Sequence, residues 1–316
     1  MGGQTMWPED RTGPALRADL KARLRLPLFV APMFLISGPE LIIASARAGA
    51  LSAFPSVNAR TAQDLDRWLA QIAEETDGAA PWGVNLIVHH SNARLEHDLA
   101  ATVRAQAPLV VASVGAPDAV TGPVHDYGGL VFSDVASLRH ARKAVAAGAD
   151  GLVLLTAGAG GNTGWLSPFA FVAAVREFFD GPIAVAGAIG TGRALHAVEV
   201  LDADLGYAGT AFIATEESLA QPGHKDMVTR TDADGIMLSD LVTGIPANFA
   251  RDSLIAEAII DEKGQALHHG ALDMASWKTV WSMGHGVGQV KGIRPAADLI
   301  DDLVRQYQTA CQIARS

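Results

Sequence analysis

Along the first two thirds of the chain, short apolar runs alternate with longer amphipathic stretches. The runs fall at 27–32, 50–54, 82–88, 109–113, 129–132, 151–155, 183–186 and 205–208. They are continuous rather than alternating, the pattern of strands buried on both faces. Helical periodicity fills 38–48, 61–75, 92–106, 135–147, 168–179 and 192–201, while 116–127 is a poor helix. Strands alternating with helices predict parallel pairing through right-handed crossovers. Eight such units predict an α/β fold, a (β/α)8 TIM barrel, rather than a doubly wound sheet. The rhythm breaks after 215. Residues 216–293, with polar turns at 221–224 and 231–235 and the aromatics Phe249, Trp277 and Trp281, read as a smaller, mostly helical insertion or cap. The expected organisation is an N-terminal extension over 1–24, the barrel over 25–215, the cap over 216–293, and a C-terminal helix over 294–316 that packs on the barrel.

Composition narrows the class. Hydrophobic residues make up 49% of the 316, enough for a large core, and the net charge is −10. Binding to nucleic acid depends on Lys and Arg neutralising phosphates, so an acidic chain without a basic cluster is not expected to take such a partner. One cysteine, Cys311, allows no internal disulfide and fits a reducing compartment. No signal peptide and no membrane span are expected, so the protein is expected to be cytoplasmic. No metal-ligand spacing of Cys and His is evident, and no metal is expected.

The chemistry should sit at the carboxyl ends of the strands. The sixth run leads into Thr156-Ala157-Gly158-Ala159-Gly160-Gly161-Asn162-Thr163-Gly164, where four glycines in seven residues let backbone N–H groups approach a flat or anionic ligand. The seventh run leads into Gly187-Ala188-Ile189-Gly190-Thr191-Gly192, and the eighth into Gly209-Thr210. These last two loops predict a cup for one phosphate, built from small residues and a following helix N-terminus. Other strand ends carry Ala31-Pro32-Met33, Asn85, His89-His90, Ser113 and Ser133-Asp134. The 158–164 loop lacks GxGxxG spacing, which argues against a Rossmann dinucleotide site. The phosphate cup alone also fits a flavin-free barrel holding a phosphorylated metabolite.

Taken in order, Ala-Pro-Met at 31–33, Gly-Val-Asn-Leu at 83–86, Ala-Gly-Ala-Gly-Gly-x-Thr-Gly at 157–164, Ser-Pro-Phe-Ala-Phe at 167–171, Ala-Gly-Ala-Ile at 186–189, Thr-Gly-Ile-Pro-Ala-Asn at 243–248 and Trp-Ser-Met-Gly-His-Gly-Val-Gly at 281–288 resemble the nitronate monooxygenase family, formerly called 2-nitropropane dioxygenase. The resemblance covers roughly residues 25–312. It implies a TIM barrel holding FMN. Ala31, Pro32 and Met33 would line one side of the isoalloxazine ring, Asn85 would hydrogen-bond it, and Ala159, Gly160 and Gly161 would flank its reactive edge. Gly187, Ala188, Gly190, Gly209 and Thr210 would hold the phosphate, where the strand ends had independently placed one.

One position departs from the family pattern. Where a histidine normally follows the two glycines, this chain has Asn162. An amide cannot take up a proton at neutral pH, but its NH2 can donate to a nitro or carbonyl oxygen. Oxidation of a preformed nitronate should survive this change better than oxidation of a neutral nitroalkane. His89 is the candidate to take the missing histidine's part, and Trp165 and His285 are candidates to contact substrate; His125, His140, His196 and His224 read as ordinary helix or loop histidines. The resemblance therefore implies an FMN-dependent oxidoreductase acting on alkyl nitronates, or a similar small anion, with O2. The alternative is an NAD(P)H-dependent flavin reductase acting on a quinone or enone; a flavin-binding protein without turnover also fits. A homodimer is compatible with the family.

Overall fold

The computed structural model describes residues 18–242, 244–267 and 279–314. Most of the expected N-terminal extension, Thr243, and residues 268–278 with Trp277 lie outside the described residues.

Eight parallel strands close into a barrel: β1 (Leu28–Val30), β2 (Leu51–Pro55), β3 (Trp82–Ile87), β4 (Leu109–Ser113), β5 (Leu130–Val135), β6 (Gly151–Leu155), β8 (Ile183–Ala186) and β9 (Leu205–Ala208), with β9 pairing back onto β1. The intervening β7 (Gly161–Asn162) belongs to a second sheet. Helices lie between the barrel strands, and the last helix, Ala296–Ile313, packs on helices Gly192–Val200 and Pro39–Arg47. The (β/α)8 expectation is met.

Side chains alternate across a strand, so every second residue points into the barrel. The lower inward positions are apolar and fully buried: Phe29, Ala53, Val111, Phe132, Val153 and Leu205 pack as one cluster. Phe29 and Phe132 meet edge to face, with ring centroids 6.5 Å apart, and plug the base. Two residues further along each strand this layer gives way to Ala31, Pro55, Leu155 and Ala186 and to four polar residues, Asn85, Ser113, Asp134 and Tyr207. All eight line the cavity above. The barrel is thus sealed below and chemically equipped on top.

Two local readings need correction. The fifth strand runs to Val135, not to 132: Ser133 pairs with Ala112, Asp134 with Val153, and Val135 with Leu154. Backbone pairing continues past the point where the apolar run stops, because the polar tip faces a cavity rather than the plug. The poor helix at 116–127 is a helix over Asp118–His125 despite Pro123, because Val120 and Val124, one turn apart, are both fully buried. Packing of that face outweighs low intrinsic propensity.

In the 216–293 region the structure has helices Pro222–Arg230 and Arg251–Ala256 and, in addition, strands β10 (Ile236–Ser239) and β11 (Ala247–Ala250). They form an antiparallel sheet in the order β10-β11-β7. Residues 161–162 are therefore an edge of the cap's own sheet, with Asn162 opposite Ala247 and Gly161 opposite Asn248.

Candidate active site

A cavity of about 1120 Å3 opens at the carboxyl ends of the barrel strands. That is at or above the usual range of about 300–1,000 Å3 for small-molecule sites, so it has room for a large ligand and a small second one. Every residue expected at the cofactor lines it: Ala31 to Met33, Asn85, Ala159 to Gly161, and the loop positions at 187, 188, 190, 209 and 210. Asn162 lines it as well.

The loop after β8 has the most available donors. Among the described residues, nothing accepts a hydrogen bond from the backbone N–H of Gly187, Ala188, Ile189 or Gly190. Gly187 takes a φ of +126°, and a Cβ there would meet Thr156 Oγ1 at 2.4 Å, so this turn requires glycine. Ala188 also sits in the left-handed region, at φ 56°. The next residues start helix Gly192–Val200, capped by Thr191 Oγ1 accepting from Ala194 N at 3.1 Å. Amides left free among the described residues beside a helix N-terminus have the chemistry to receive an anion. Across from it, Thr210 Oγ1 accepts from Gly284 N at 2.9 Å, which ties the 281–288 segment to the cup.

The loop after β6 is held instead by the protein itself. Ala159 O accepts from Asn248 Nδ2 at 2.7 Å, Gly158 O from His285 N at 3.0 Å, and Pro246 O from Thr163 N at 3.2 Å. A Cβ on Gly160 would lie 2.7 Å from Gly284 N, so the loop is pressed against the cap backbone. No hydrogen bond engages the Asn162 side-chain amide among the described residues.

The floor supplies polar groups in fixed orientations. Asn85 Nδ2 donates to Val111 O at 2.9 Å and to Ser113 Oγ at 2.6 Å. With both N–H groups used, Asn85 Oδ1 remains as an acceptor for a ligand N–H. Asp134 stands at the carboxyl end of the fifth strand. It lies on the floor beside Ser113 and Tyr207. Burial raises its pKa to about 6, against the lowering effect of hydrogen bonds from Ser113 and the Val114 backbone. Burial, and then the charge of Asp134, push the Tyr207 hydroxyl well above its ordinary value, and the Tyr207 ring stands edge to face on Phe29 at 4.8 Å. Tyr207 therefore remains a neutral donor.

The histidine expectations change most. His89 does not line the cavity; its Nδ1 lies 2.8 Å from Ser91 Oγ and its ring rests on His90 at 4.1 Å. Trp165 does not line the cavity either and is 80% exposed. His285 is exposed on the far side of the loop, its ring against Gly158. These three miss the site because the chain bends away immediately after the strand or loop that sequence order suggested would carry them inward. Among the described residues the histidine that lines the cavity is His224, read from sequence as an ordinary helix or loop histidine. It stacks on Trp281 with centroids 5.5 Å apart, and its Nε2 is 3.2 Å from Ser282 O. Burial depresses its pKa to about 4, so it is neutral near pH 7. Nothing in the local sequence marked it, because its position depends on the 281–283 segment folding over it.

The mouth carries Arg60, Arg67, Arg94 and Asp64. Arg94 is paired with buried Asp98 at 3.1 Å and Arg67 with Asp64 at 2.7 Å, while Arg60 has no ion pair among the described residues.

Comparison with known proteins agrees with this architecture. The family model described as nitronate monooxygenase matches residues 91–306. The (3aS,4S,5R,7aS)-5-hydroxy-7a-methyl-1-oxo-octahydro-1H-indene-4-carboxyl-CoA dehydrogenase of Mycobacterium tuberculosis is 25% identical over 72% of this chain, and the match spans 64% of that relative, just under two thirds of its length. Among solved structures, the nitroalkane oxidase of Streptomyces ansochromogenes superposes with a TM-score of 0.80 at 24% identity, covering 94% of this chain and 100% of that one. The enoyl reductase domain of MlnA from Bacillus amyloliquefaciens gives 0.71 at 14% identity, covering 98% and 99%. No described helix is long and apolar enough to cross a membrane.

Proposed function

We propose that this chain, which belongs to the nitronate monooxygenase family of oxidoreductases, binds FMN and oxidises alkyl nitronates or a similar small anion with O2. The observation that carries the cofactor assignment is the set of N–H groups at Gly187, Ala188, Ile189 and Gly190 that are unpaired among the described residues, beside a helix N-terminus and in a turn that a Cβ would block. That cradle suits a phosphate monoester. The floor suits the other end of the same molecule: Asn85 Oδ1 offers an acceptor for an imide N–H, and small residues, Ala31, Gly160 and Gly209, leave a slot for a flat ring. The bound flavin supplies the two-electron chemistry and the reaction with O2.

The chain's own side chains set the substrate. Asn162 presents a side-chain amide that can donate to a nitronate oxygen but cannot remove a proton from carbon. His224, depressed to about 4, is too weak a base to replace the missing histidine. A preformed anion avoids this need, and the mouth arginines, Arg60 above all, favour its entry. The cap segment 280–283 and helix Pro222–Arg230 close one side of the cavity and exclude water.

A second reading is an NAD(P)H-dependent reductase of a quinone or enone. Asn162 favours it, since hydride transfer needs no histidine base. The name of the enoyl reductase neighbour points the same way.

Reconstitution followed by anaerobic mixing separates these readings. The protein reconstituted with FMN should be yellow and should bleach on addition of propyl nitronate but not of NADH. A protein that takes up no flavin overturns both readings. Bleaching by NADH alone overturns the first in favour of the second.

A further inference from the structure

Three donors meet where the C-terminal helix crosses the helix that starts at the cup. They are His196 and Glu199, one turn apart on helix Gly192–Val200, and Cys311 on helix Ala296–Ile313. His196 Nδ1 lies 3.7 Å from Cys311 Sγ and 3.6 Å from Glu199 Oε2, and all three ligand atoms lie within 4.8 Å of one another. We propose that His196, Glu199 and Cys311 bind one divalent cation of the zinc type, which pins the C-terminal helix to the helix behind the phosphate cup. The site is separate from the cavity, and the inference does not depend on the proposed reaction.

The geometry distinguishes coordination from a catalytic relay. In a nucleophile–base–acid relay the two ring nitrogens serve different partners. Here the thiol and the carboxylate both approach the same nitrogen. The other, Nε2, is buried with no hydrogen-bond partner among the described residues. The 3.6 Å separation from Glu199 is too long for a hydrogen bond. It is the right length for the edge of a coordination tetrahedron: metal–ligand distances near 2.0–2.3 Å place N, O and S ligands about 3.4–3.6 Å apart.

The donor set matches as well. A neutral imidazole, a carboxylate and a thiolate supply one nitrogen, one oxygen, one sulfur and two negative charges, a combination that selects zinc over the harder magnesium or calcium. Cys311 is half-buried, which leaves an approach for the metal and a fourth position for water. Tyr307 donates to Glu199 Oε2 at 2.7 Å and orients the carboxylate. The same helix crossing fixes the start of the cup helix: Gly192 N donates to Gln306 Oε1 at 3.1 Å, and a Cβ at Gly192 would lie 2.2 Å from Tyr307 N.

The test uses chelator-treated full-length protein titrated with CoCl2 and with ZnCl2. The expected result is one tightly held equivalent of zinc and, with cobalt, a thiolate-to-metal charge-transfer band together with the visible bands of a tetrahedral site. Zinc should raise the thermal midpoint. Cys311→Ser should abolish the charge-transfer band, His196→Ala should weaken zinc binding at least 100-fold, and Tyr307→Phe about 10–100-fold. Absence of the charge-transfer band in the unmutated protein overturns the proposal without relying on any variant's fold. Equal zinc retention in the unmutated protein, Cys311→Ser and His196→Ala also overturns it.

Discussion

The two glycine-rich loops facing the cavity look alike in sequence and behave as opposites in the structure. In the loop after β6 the backbone is tied to the cap: Asn248 and His285 donate into it, Thr163 donates out of it, and its residues 161–162 pair with β11. In the loop after β8 four consecutive backbone donors have no described acceptor. Glycine serves close packing in the first case and ligand approach in the second. The first loop is a wall that presents one side chain, Asn162; the second presents free backbone donors among the described residues and is the loop proposed to receive an anion.

Changing the wall's side chain should have the largest effect. Asn162→His introduces a titratable base where the loop is already rigid, and turnover of a neutral nitroalkane should rise by about 10²–10⁴-fold, the usual worth of a positioned general base. Steady-state kinetics on nitroethane and its nitronate check this; an unchanged ratio between the two would separate the wall from substrate activation. Next, Gly190→Asp sets a carboxylate in the receptor. Its Cβ meets only the flexible end of Gln289, at 2.3 Å, so the fold should survive. Like-charge juxtaposition costs several kcal/mol, and FMN affinity should fall by about 100-fold or more in a fluorescence titration.

The remaining changes are smaller. Asn248→Ala leaves Ala159 O without its buried donor and should lower stability by roughly 1–3 kcal/mol in denaturant unfolding, while changing FMN affinity less than Gly190→Asp does. On the floor, the pKa of Asp134 is raised to about 6 in the folded state, above its unfolded value near 4. The folded flavin-free protein then binds this proton more tightly than the unfolded chain. The stability it contributes is present below about pH 4 and is lost as pH rises through about 6. Asp134→Asn should flatten that window in pH-dependent melting curves.

The barrel could be read from the sequence because its signal is local: eight continuous apolar runs, each followed by a helical period. The strand-end rule then located the cavity-lining positions from Ala31 to Thr210 for the same reason. What escaped depended on contacts between distant segments. Asp134 was seen at a strand end, but its burial depends on the plug of Phe29 and Phe132 beneath and on Tyr207 beside it. His224 reads as an ordinary helix or loop histidine, and only the stacking of Trp281 on it brings it into the cavity wall. His89 and Trp165 sit beside site residues in sequence, yet the chain turns outward before reaching them. The pairing of Asn162 with Ala247 joins segments more than eighty residues apart, and neither segment alone carries a strand signal strong enough to announce it.

The amides after β8 have no acceptor among the described residues and carry the cofactor assignment; comparing FMN with riboflavin tests that assignment most directly, because the two ligands differ only by the phosphate. Titrating the flavin-free protein with each should show FMN binding at least 100-fold more tightly, with the preference collapsing in Gly190→Asp. Equal affinity for FMN and riboflavin in the unmutated protein would contradict the account.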